Sequence, residues 1–155
     1  MASVTLQPIT SANWRECIRL TVRDDQKNFV ATNLYSLAEA AYESTPDRLT
    51  PLAVYDGETM IGFVMYGYPA LDGGRCWFIY RLMVDQNQQG KGYGRAAMVE
   101  LIKRIAAEPD CKAVYISYEP ENEVADKLYQ SLGFVSENRM LGHETLARLP
   151  IVKGV

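Results

Sequence analysis

The sequence predicts an α/β protein whose mixed, mostly antiparallel sheet of six to seven strands is accompanied by about four helices. In the first half, two apolar segments, 52–55 and 60–68, are joined by Asp56-Gly57, and Asp72-Gly73-Gly74 marks the next turn. Such sequences are typical of tight hairpins between antiparallel strands. The second half alternates strand and helix patterns, and a helical crossover joins strands that run parallel. A central parallel pair is therefore expected within the antiparallel sheet.

The first elements can be placed by their apolar periodicity. Val4–Pro8 alternates apolar and polar residues, which predicts the first strand. Apolar residues then recur at helical spacing from Trp14 to Val22 and from Phe29 to Tyr42. This spacing predicts two helices, the second of which ends before Pro46. The hairpin strands Leu52–Tyr55 and Met60–Tyr68 follow them.

The second half contains the two strands of the expected parallel pair. Arg75–Val84 is the predicted central strand, and Ala113–Tyr118, rich in β-branched and aromatic residues, is its predicted neighbour. A helix over Arg95–Ala107 connects them, and another runs from Asn122 to Gly133. The closing antiparallel strands are predicted at Phe134–Val135 and from about Met140 to Leu149.

Composition predicts one globular domain over residues 1–155, because the chain is 48% hydrophobic and 23% charged. No apolar run approaches the ~20 residues of a membrane span, and the N-terminus lacks the features of a signal peptide. The widely spaced Cys17, Cys76 and Cys111 predict neither a disulfide framework nor a zinc site, and free thiols are typical of the cytoplasm. A net charge of −3 disfavours nucleic acid as a partner.

A glycine-rich loop, Gln89-Gly90-Lys91-Gly92-Tyr93-Gly94, separates the central strand from the helix that follows it. Glycine costs conformational entropy on folding, but it allows a ligand to approach the backbone. A helix that begins here directs unpaired N–H groups and the positive end of its dipole towards the loop. The loop therefore predicts an anion site, most naturally for phosphate or pyrophosphate.

Two other phosphate-binding motifs fit this loop less well. A P-loop requires Gly, four residues and then Gly-Lys-Ser/Thr, but Lys91 is followed by Gly92. Residues 92–97 do fit the dinucleotide-binding pattern G-x-G-x-x-A. That pattern should follow its strand directly, whereas the polar segment 85–89 intervenes here. Too little chain remains after Gly94 to build the second half of a dinucleotide-binding domain.

The loop and a second motif together resemble the GNAT N-acetyltransferases. Residues 89–94 are similar to the pyrophosphate-binding motif R/Q-x-x-G-x-G/A of that family, and residues 122–134 to its signature N-x-x-A-x-x-L-Y-x-x-x-G-F. Residues 26–40 also resemble the corresponding segment of bacterial spermine/spermidine acetyltransferases. The resemblance implies a GNAT-like sheet whose parallel strands splay apart, with acetyl-CoA as cosubstrate and no metal.

The resemblance also implies roles for particular residues. The central strand would bind the pantetheine arm, the loop would bind the pyrophosphate, and Tyr129 would donate a proton to the departing thiolate as general acid. The residues expected to bind acetyl-CoA are Leu82, Met83, Val84, Gln89, Gly90, Lys91, Gly92, Tyr93, Gly94, Arg95, Asn122 and Lys127.

The amine acceptor requires a route for removing a proton, because a primary amine is mostly protonated at pH 7. Polyamine acetyltransferases often have an acidic residue shortly before the apolar triplet of the central strand, where this sequence has Tyr80. Tyr80 and Glu119, the latter acting through water, are the candidates for this catalytic role. Gln26, Glu39 and Tyr80 are the predicted substrate contacts. The sole histidine, His143, is assigned no role.

The predicted reaction is transfer of an acetyl group from acetyl-CoA to a primary amine of a small molecule, by direct attack in a ternary complex. Polyamines such as spermine and spermidine are the first candidates. Another small amine, a protein N-terminus or lysine, and a non-catalytic acyl-CoA sensor are the alternatives left open. No nucleic acid or membrane partner is expected. GNAT enzymes often form dimers, so a homodimer is also left open.

Overall fold

The computed structural model describes residues 2–43 and 45–153. Four α-helices are present in this part of the chain: α1 (Trp14–Arg19), α2 (Asn33–Tyr42), α3 (Tyr93–Ala106) and α4 (Glu123–Ser131). The strands are β1 (Thr5–Pro8), β2 (Thr50–Asp56), β3 (Thr59–Gly67), β4 (Ala70–Leu71), β5 (Gly74–Arg75), β6 (Trp77–Val84), β7 (Ala113–Tyr118), β8 (Val135–Leu141) and β9 (Glu144–Pro150). None of the helices described is long and apolar enough to cross a membrane.

Seven of the strands form one sheet in the order β1-β2-β3-β6-β7-β9-β8, and β4 pairs with β5 in a small separate hairpin. Strands β6 and β7 run parallel, with α3 as the crossover between them, and the other neighbouring pairs are antiparallel. This arrangement confirms the predicted mixed sheet with its central parallel pair. The turns predicted at Asp56-Gly57 and at Asp72-Gly73 are also present.

Helices cover both faces of the sheet and bury two apolar clusters. Met98 and Leu101 of α3 pack against one face, where they join Ile116 in the larger cluster. Cys17 of α1 and Phe63 belong to the cluster on the other face, against which α2 also packs. Burial of these side chains, at roughly 25 cal/mol per Å² of apolar surface, holds the helices on the sheet.

The segment between α1 and α2 is longer than the sequence predicts. Phe29 and Val30, predicted to lie in the second helix, precede it, because α2 begins at Asn33. The Thr32 side chain accepts a hydrogen bond from the backbone N–H of Tyr35 and so caps the helix there. The inter-helix segment, residues 20–32, thus includes Phe29 and Val30, and Val30 packs against the second apolar cluster.

The last two strands also differ from the prediction. The single strand expected over Met140–Leu149 is interrupted, and β8 and β9 form a hairpin. Gly142 adopts a left-handed conformation with φ of 62°, which lets the chain reverse at Gly142-His143. The turn brings His143 close to the end of β7, because β9 pairs with β7 up to the contact of Tyr118 with Thr145.

Strands β6 and β7 pair only over their first residues. The parallel register joins residues 77–79 to residues 114–116 and stops there, although both strands continue. On its other edge β6 remains paired with β3 as far as Val84. Asp85 N–H donates to the Ile61 carbonyl, so the backbone groups of Asp85 face β3. Backbone groups alternate between the two edges of a strand, and those of Met83 therefore also face β3 while those of Leu82 face the gap. The sheet is therefore open at its centre, beside exposed main-chain groups of β6.

Candidate active site

A cleft of about 1030 Å³ opens where β6 and β7 diverge. Its walls are formed by the last residues of β6 and β7, the glycine-rich loop, the first turn of α4 and the inter-helix segment. Phe29 and Val30 of that segment line the cleft. This volume is at the upper end of the range for small-molecule sites.

The glycine-rich loop enters α3 through two left-handed residues. Gly90 has φ of 77°, and Gly92, the N-cap residue of α3, has φ of 83°. Residues with a Cβ are strained in this conformation. The first turn of α3 directs N–H groups without helical partners towards the loop, beside the positive end of the helix dipole. The loop therefore enters α3 through two conformations that glycine adopts without strain, and it lies beside the main-chain N–H groups of the helix N-terminus.

The Gln89 side chain connects this loop to the inter-helix segment. Arg23 Nη1 donates to Gln89 Oε1 at 2.7 Å, and Gln89 Nε2 donates to Gln26 Oε1 at 2.9 Å. The same Nε2 also donates to the Val84 carbonyl at 3.0 Å. Gln26, predicted as a substrate contact, lines the cleft but is tied into this network. The Gln89 side chain thus links the loop to β6 and to the inter-helix segment.

Asp85 supplies a second connection between the same two segments. Its carboxylate accepts from the Thr21 backbone N–H at 3.0 Å and from the Asn87 N–H at 3.2 Å, while the Gln86 N–H donates to the Thr21 carbonyl at 2.8 Å. Neither Asp85 nor Arg23 was predicted as a site residue from the sequence. An Asp that opens a polar turn is a recognisable capping signal, whereas nothing local to Arg23 indicates a partner 66 residues away.

The cleft lining includes nine of the twelve residues predicted to bind the cosubstrate: Leu82, Met83, Val84, Gln89, Gly90, Gly92, Tyr93, Gly94 and Asn122. The side chains of Tyr93 and Asn122 have other partners, since the Tyr93 hydroxyl donates to Asp56 and Asn122 Oδ1 caps α4 by accepting from the Ala125 N–H.

The three remaining cationic residues lie outside the lining. Lys91 Nζ donates to Gln88 Oε1 at 2.9 Å, Arg95 Nη1 donates to Ser131 Oγ at 2.6 Å, and Lys127 is exposed on α4. These three side chains are therefore peripheral to the cleft, whereas Arg23 and Lys27 of the inter-helix segment line it. At the loop itself, main-chain amides are the donors that face the cleft.

Tyr129 lies on α4 and lines the cleft with only 7% of its surface exposed. Its ring packs against Tyr118 and Phe134, with centroid distances of 5.2 and 5.9 Å. Burial, together with the nearby Tyr118 and Glu144, raises the pKa of Tyr129 above its ordinary range. The hydroxyl therefore stays protonated at neutral and moderately alkaline pH, as a proton donor requires.

Glu119 lines the cleft directly after the end of β7, with 19% of its side chain exposed. The Nε2 atom of His143 lies 2.7 Å from its Oε1 atom. Glu144 lines the same wall, where its carboxylate accepts from Ser117 Oγ at 2.9 Å. This wall is acidic, and His143, which was assigned no role from the sequence, contacts one of its carboxylates.

Tyr80 and Arg81 line the opposite wall on β6. Burial, followed by the negative charges of Asp47 and Glu39, raises the pKa of Tyr80, so its hydroxyl is poorly suited to lose a proton. Arg81 Nη2 lies 3.0 Å from Glu39 Oε1, and both side chains are mostly buried. Glu39, predicted to contact substrate, is therefore engaged with Arg81 and does not line the cleft.

Comparison with known proteins identifies the family. The sequence model of the acetyltransferase (GNAT) family matches residues 12–134, most of the chain. This chain belongs to the GNAT acetyltransferases. A spermine/spermidine N(1)-acetyltransferase of Bacillus subtilis (strain 168) is 30% identical over 137 residues, which cover 85% of this chain and 88% of that protein.

Two solved acetyltransferase structures share the fold over almost the whole of this chain. An aminoglycoside acetyltransferase in complex with coenzyme A aligns with a TM-score of 0.78 at 17% identity, covering 96% of this chain and 95% of that one. A spermidine N-acetyltransferase from Vibrio cholerae, in complex with CoA and spermine, aligns with a TM-score of 0.72 at 16% identity, covering 94% and 93%. The predictions of a GNAT fold and of an N-acetyltransferase are confirmed.

Acetyl-CoA is the usual cosubstrate of GNAT enzymes, and the residues of this cleft fit it. The gap beside β6 offers the Leu82 backbone to an extended, amide-containing arm, and the loop offers main-chain N–H groups to a diphosphate. A Cβ atom at Gly90 or Gly92 would meet no close neighbour. The glycines are therefore required by their backbone conformation rather than by crowding within the protein.

Replacing Gly92 with valine tests the backbone conformation of the loop. A residue with a Cβ costs roughly 1–2 kcal/mol in the left-handed region, so the loop relaxes and its N–H groups move. We expect the affinity for acetyl-CoA, measured by titration calorimetry, to fall at least tenfold. Gly73→Val is the matched control, because Gly73 has a similar φ of 81°, lies in open space and is remote from the cleft. Equal affinities of the two variants would contradict this role.

Replacing Gln89 with glutamate tests the connection between the loop and the inter-helix segment. The change replaces the Nε2 donor with an oxygen that faces the Val84 carbonyl and the Gln26 amide oxygen. We expect the free energy of unfolding in urea to fall by about 1–3 kcal/mol, with several-fold weaker acetyl-CoA binding. Gln88→Glu introduces the same charge one residue earlier, where Lys91 is its partner, and should change both quantities little. Similar losses in both variants would indicate a simple charge effect.

Proposed function

We propose that this GNAT enzyme transfers the acetyl group of acetyl-CoA to a primary amine of a small molecule, with polyamines such as spermine and spermidine as the first candidates. The observation that carries the acceptor class is the similarity to the Bacillus subtilis spermine/spermidine N(1)-acetyltransferase over 85% of this chain. The free thiols of Cys17, Cys76 and Cys111 support the cytoplasm as its location.

The electrostatics of the cleft support a cationic acceptor. Glu119, Glu121 and Glu144 all line the side formed by β7 and the segments that follow it. The cations of the lining each pair with a carboxylate: Arg81 with Glu39 at 3.0 Å, Arg23 with Asp25 at 3.2 Å and Lys27 with Asp24 at 2.8 Å. Clefts lined by one sign of charge concentrate ligands of the opposite sign. A polyamine carries several ammonium groups, so one of them can enter the site while others remain near these carboxylates.

Binding of acetyl-CoA in the cleft depends mainly on main-chain groups. Acetyl-CoA supplies the acetyl group as a thioester. The loop amides at residues 90–94 bind its diphosphate, and the Leu82 backbone binds the pantetheine arm along the open edge of β6. Asn122 lines the same region, and its amide nitrogen, which has no hydrogen-bond partner among the residues that the structure describes, can donate to the arm while Oδ1 caps α4. This division leaves the acidic wall to the acceptor.

Two side chains supply the proton transfers. Glu119 accepts a proton from the incoming ammonium, directly or through water, which makes the amine nucleophilic. Tyr129 donates its hydroxyl proton to the sulfur that leaves, and its raised pKa keeps that proton available. Transfer occurs by direct attack in a ternary complex. Tyr80, also predicted as a catalytic candidate, serves as part of the wall that contacts the acceptor, because burial opposes its ionisation.

A panel of amines tests the acceptor class. Release of free thiol from acetyl-CoA should accelerate with spermine and spermidine. It should accelerate less with a monoamine of similar length, which has no second ammonium group to contact the carboxylates of the acidic wall. Turnover of other small amines or of a peptide N-terminus, without turnover of polyamines, would contradict the polyamine assignment while retaining acetyl transfer. Binding of acetyl-CoA without turnover of any amine would favour a non-catalytic sensor.

Replacing Tyr129 with phenylalanine tests the proton donor. We expect kcat to fall by about 10²-fold, while the affinity for acetyl-CoA measured by calorimetry is preserved. Tyr118→Phe is the matched control. Its hydroxyl donates to Asp126 at 2.6 Å, and burial together with this bond raises the pKa of Tyr118 to about 12. That variant should lose some stability and keep its turnover. Full activity of Tyr129→Phe would exclude the role of Tyr129 as donor.

A further inference from the structure

We propose that His143 is a positioning residue for Glu119 and the outlet through which the proton taken from the acceptor amine reaches solvent. The inference rests on the proposed function, since it concerns the base of that reaction. It assigns a role in turnover to a side chain that lies outside the cleft and outside both sequence motifs.

The two side chains together extend from the cleft to the solvent. Glu119 lines the cleft and is 19% exposed, whereas the His143 side chain is 82% exposed. Their contact, Nε2 to Oε1, measures 2.7 Å, which is within the range of a strong hydrogen bond. One side chain of the pair therefore faces the acceptor and the other faces bulk water.

The fold explains why His143 contacts Glu119 rather than the other carboxylate of this wall. Strand β9 pairs with β7 up to Tyr118 and Thr145, so the turn that follows Leu141 lies over the residue after β7. Glu144 is engaged by Ser117 Oγ at 2.9 Å. In the part of the chain that the structure describes, the ionic partner of the imidazole is Glu119, and the contact engages Oε1.

The proton transfers balance over one turnover. In the resting pair, Nε2–H of His143 donates to Oε1 of the Glu119 carboxylate. Glu119 takes one proton from the ammonium on Oε2, and the exposed ring moves its own proton from Nε2 to Nδ1 by exchange with solvent. Rotation of the neutral carboxyl group then directs its O–H to Nε2, which accepts the proton. The imidazolium releases the Nδ1 proton to water, which restores the resting Nε2–H tautomer. The second proton lost by the attacking nitrogen restores the hydroxyl of Tyr129. The net products are the acetylated amine, free coenzyme A and one proton in solution.

A purely structural contact between the same residues makes different predictions. Exposed ion pairs contribute little to stability, so His143→Ala should lower the melting temperature by less than about 3 °C. A structural contact would affect activity only through such a loss. A proton outlet instead affects kcat in a fully folded enzyme, and a small diffusible base can replace it.

The test compares variants in the thiol-release assay with spermidine. We expect His143→Ala to lower kcat about tenfold with an unchanged KM for acetyl-CoA, and added imidazole to restore most of the loss. Met140→Ala, at another exposed position of the same hairpin, should match the wild type. Glu119→Gln should lose more activity, imidazole should not restore it, and His143→Ala should have no further effect in that background.

The outcomes separate this inference from the proposed function. If the wild type turns over spermidine and His143→Ala has the same kcat, or loses activity that imidazole does not restore, the proton outlet is overturned and the acetyltransferase assignment stands. If the wild type turns over only another amine, the same variants are compared on that amine, with the same expectations. If it acetylates no amine of the panel, both proposals fail together.

Discussion

The divergence of β6 and β7 after three paired residues is the constraint on which the rest of this structure depends. A strand in the middle of a sheet ordinarily satisfies its backbone groups on both edges, and unpaired groups are costly unless water or a ligand meets them. Here β3 satisfies one edge of β6 as far as Val84, while the other edge faces a cleft. The backbone of β6 is thereby made accessible although β6 is a central strand of the sheet and not an edge strand.

Neighbouring elements hold the two strands apart. Strand β7 stays paired with β9 as far as Tyr118, so the end of β7 follows β9 and not β6. On the near side, Gln89 binds the Val84 carbonyl and Arg81 binds the Tyr80 carbonyl at 3.1 Å, which satisfies the groups on either side of Leu82. The same Gln89 connects the glycine-rich loop to the inter-helix segment, so two walls of the cleft share one hydrogen-bond network.

Local patterns in the sequence predicted the parts of the molecule that depend on local physics. The loop at residues 89–94, the turn at Asp56-Gly57 and the helix that begins after Asn122 all follow from glycine conformation, turn residues and capping. Contacts over long sequence distances could not be predicted in this way. The partners Arg23 and Gln89, and likewise Glu119 and His143, meet only because the strand order brings them together. The same limit explains why Glu39 was expected in the acceptor site, although Arg81 holds it outside the cleft lining.

Amide hydrogen exchange of β6, measured with and without saturating acetyl-CoA, tests the open strand edge most directly. We expect slower exchange in the complex at the amides that face the gap, those of Leu82 and Val84. The amide of Met83, which faces β3, should change little, since it is already protected. Bound acetyl-CoA that leaves exchange at both Leu82 and Val84 unchanged would contradict the proposal that this edge holds the cosubstrate.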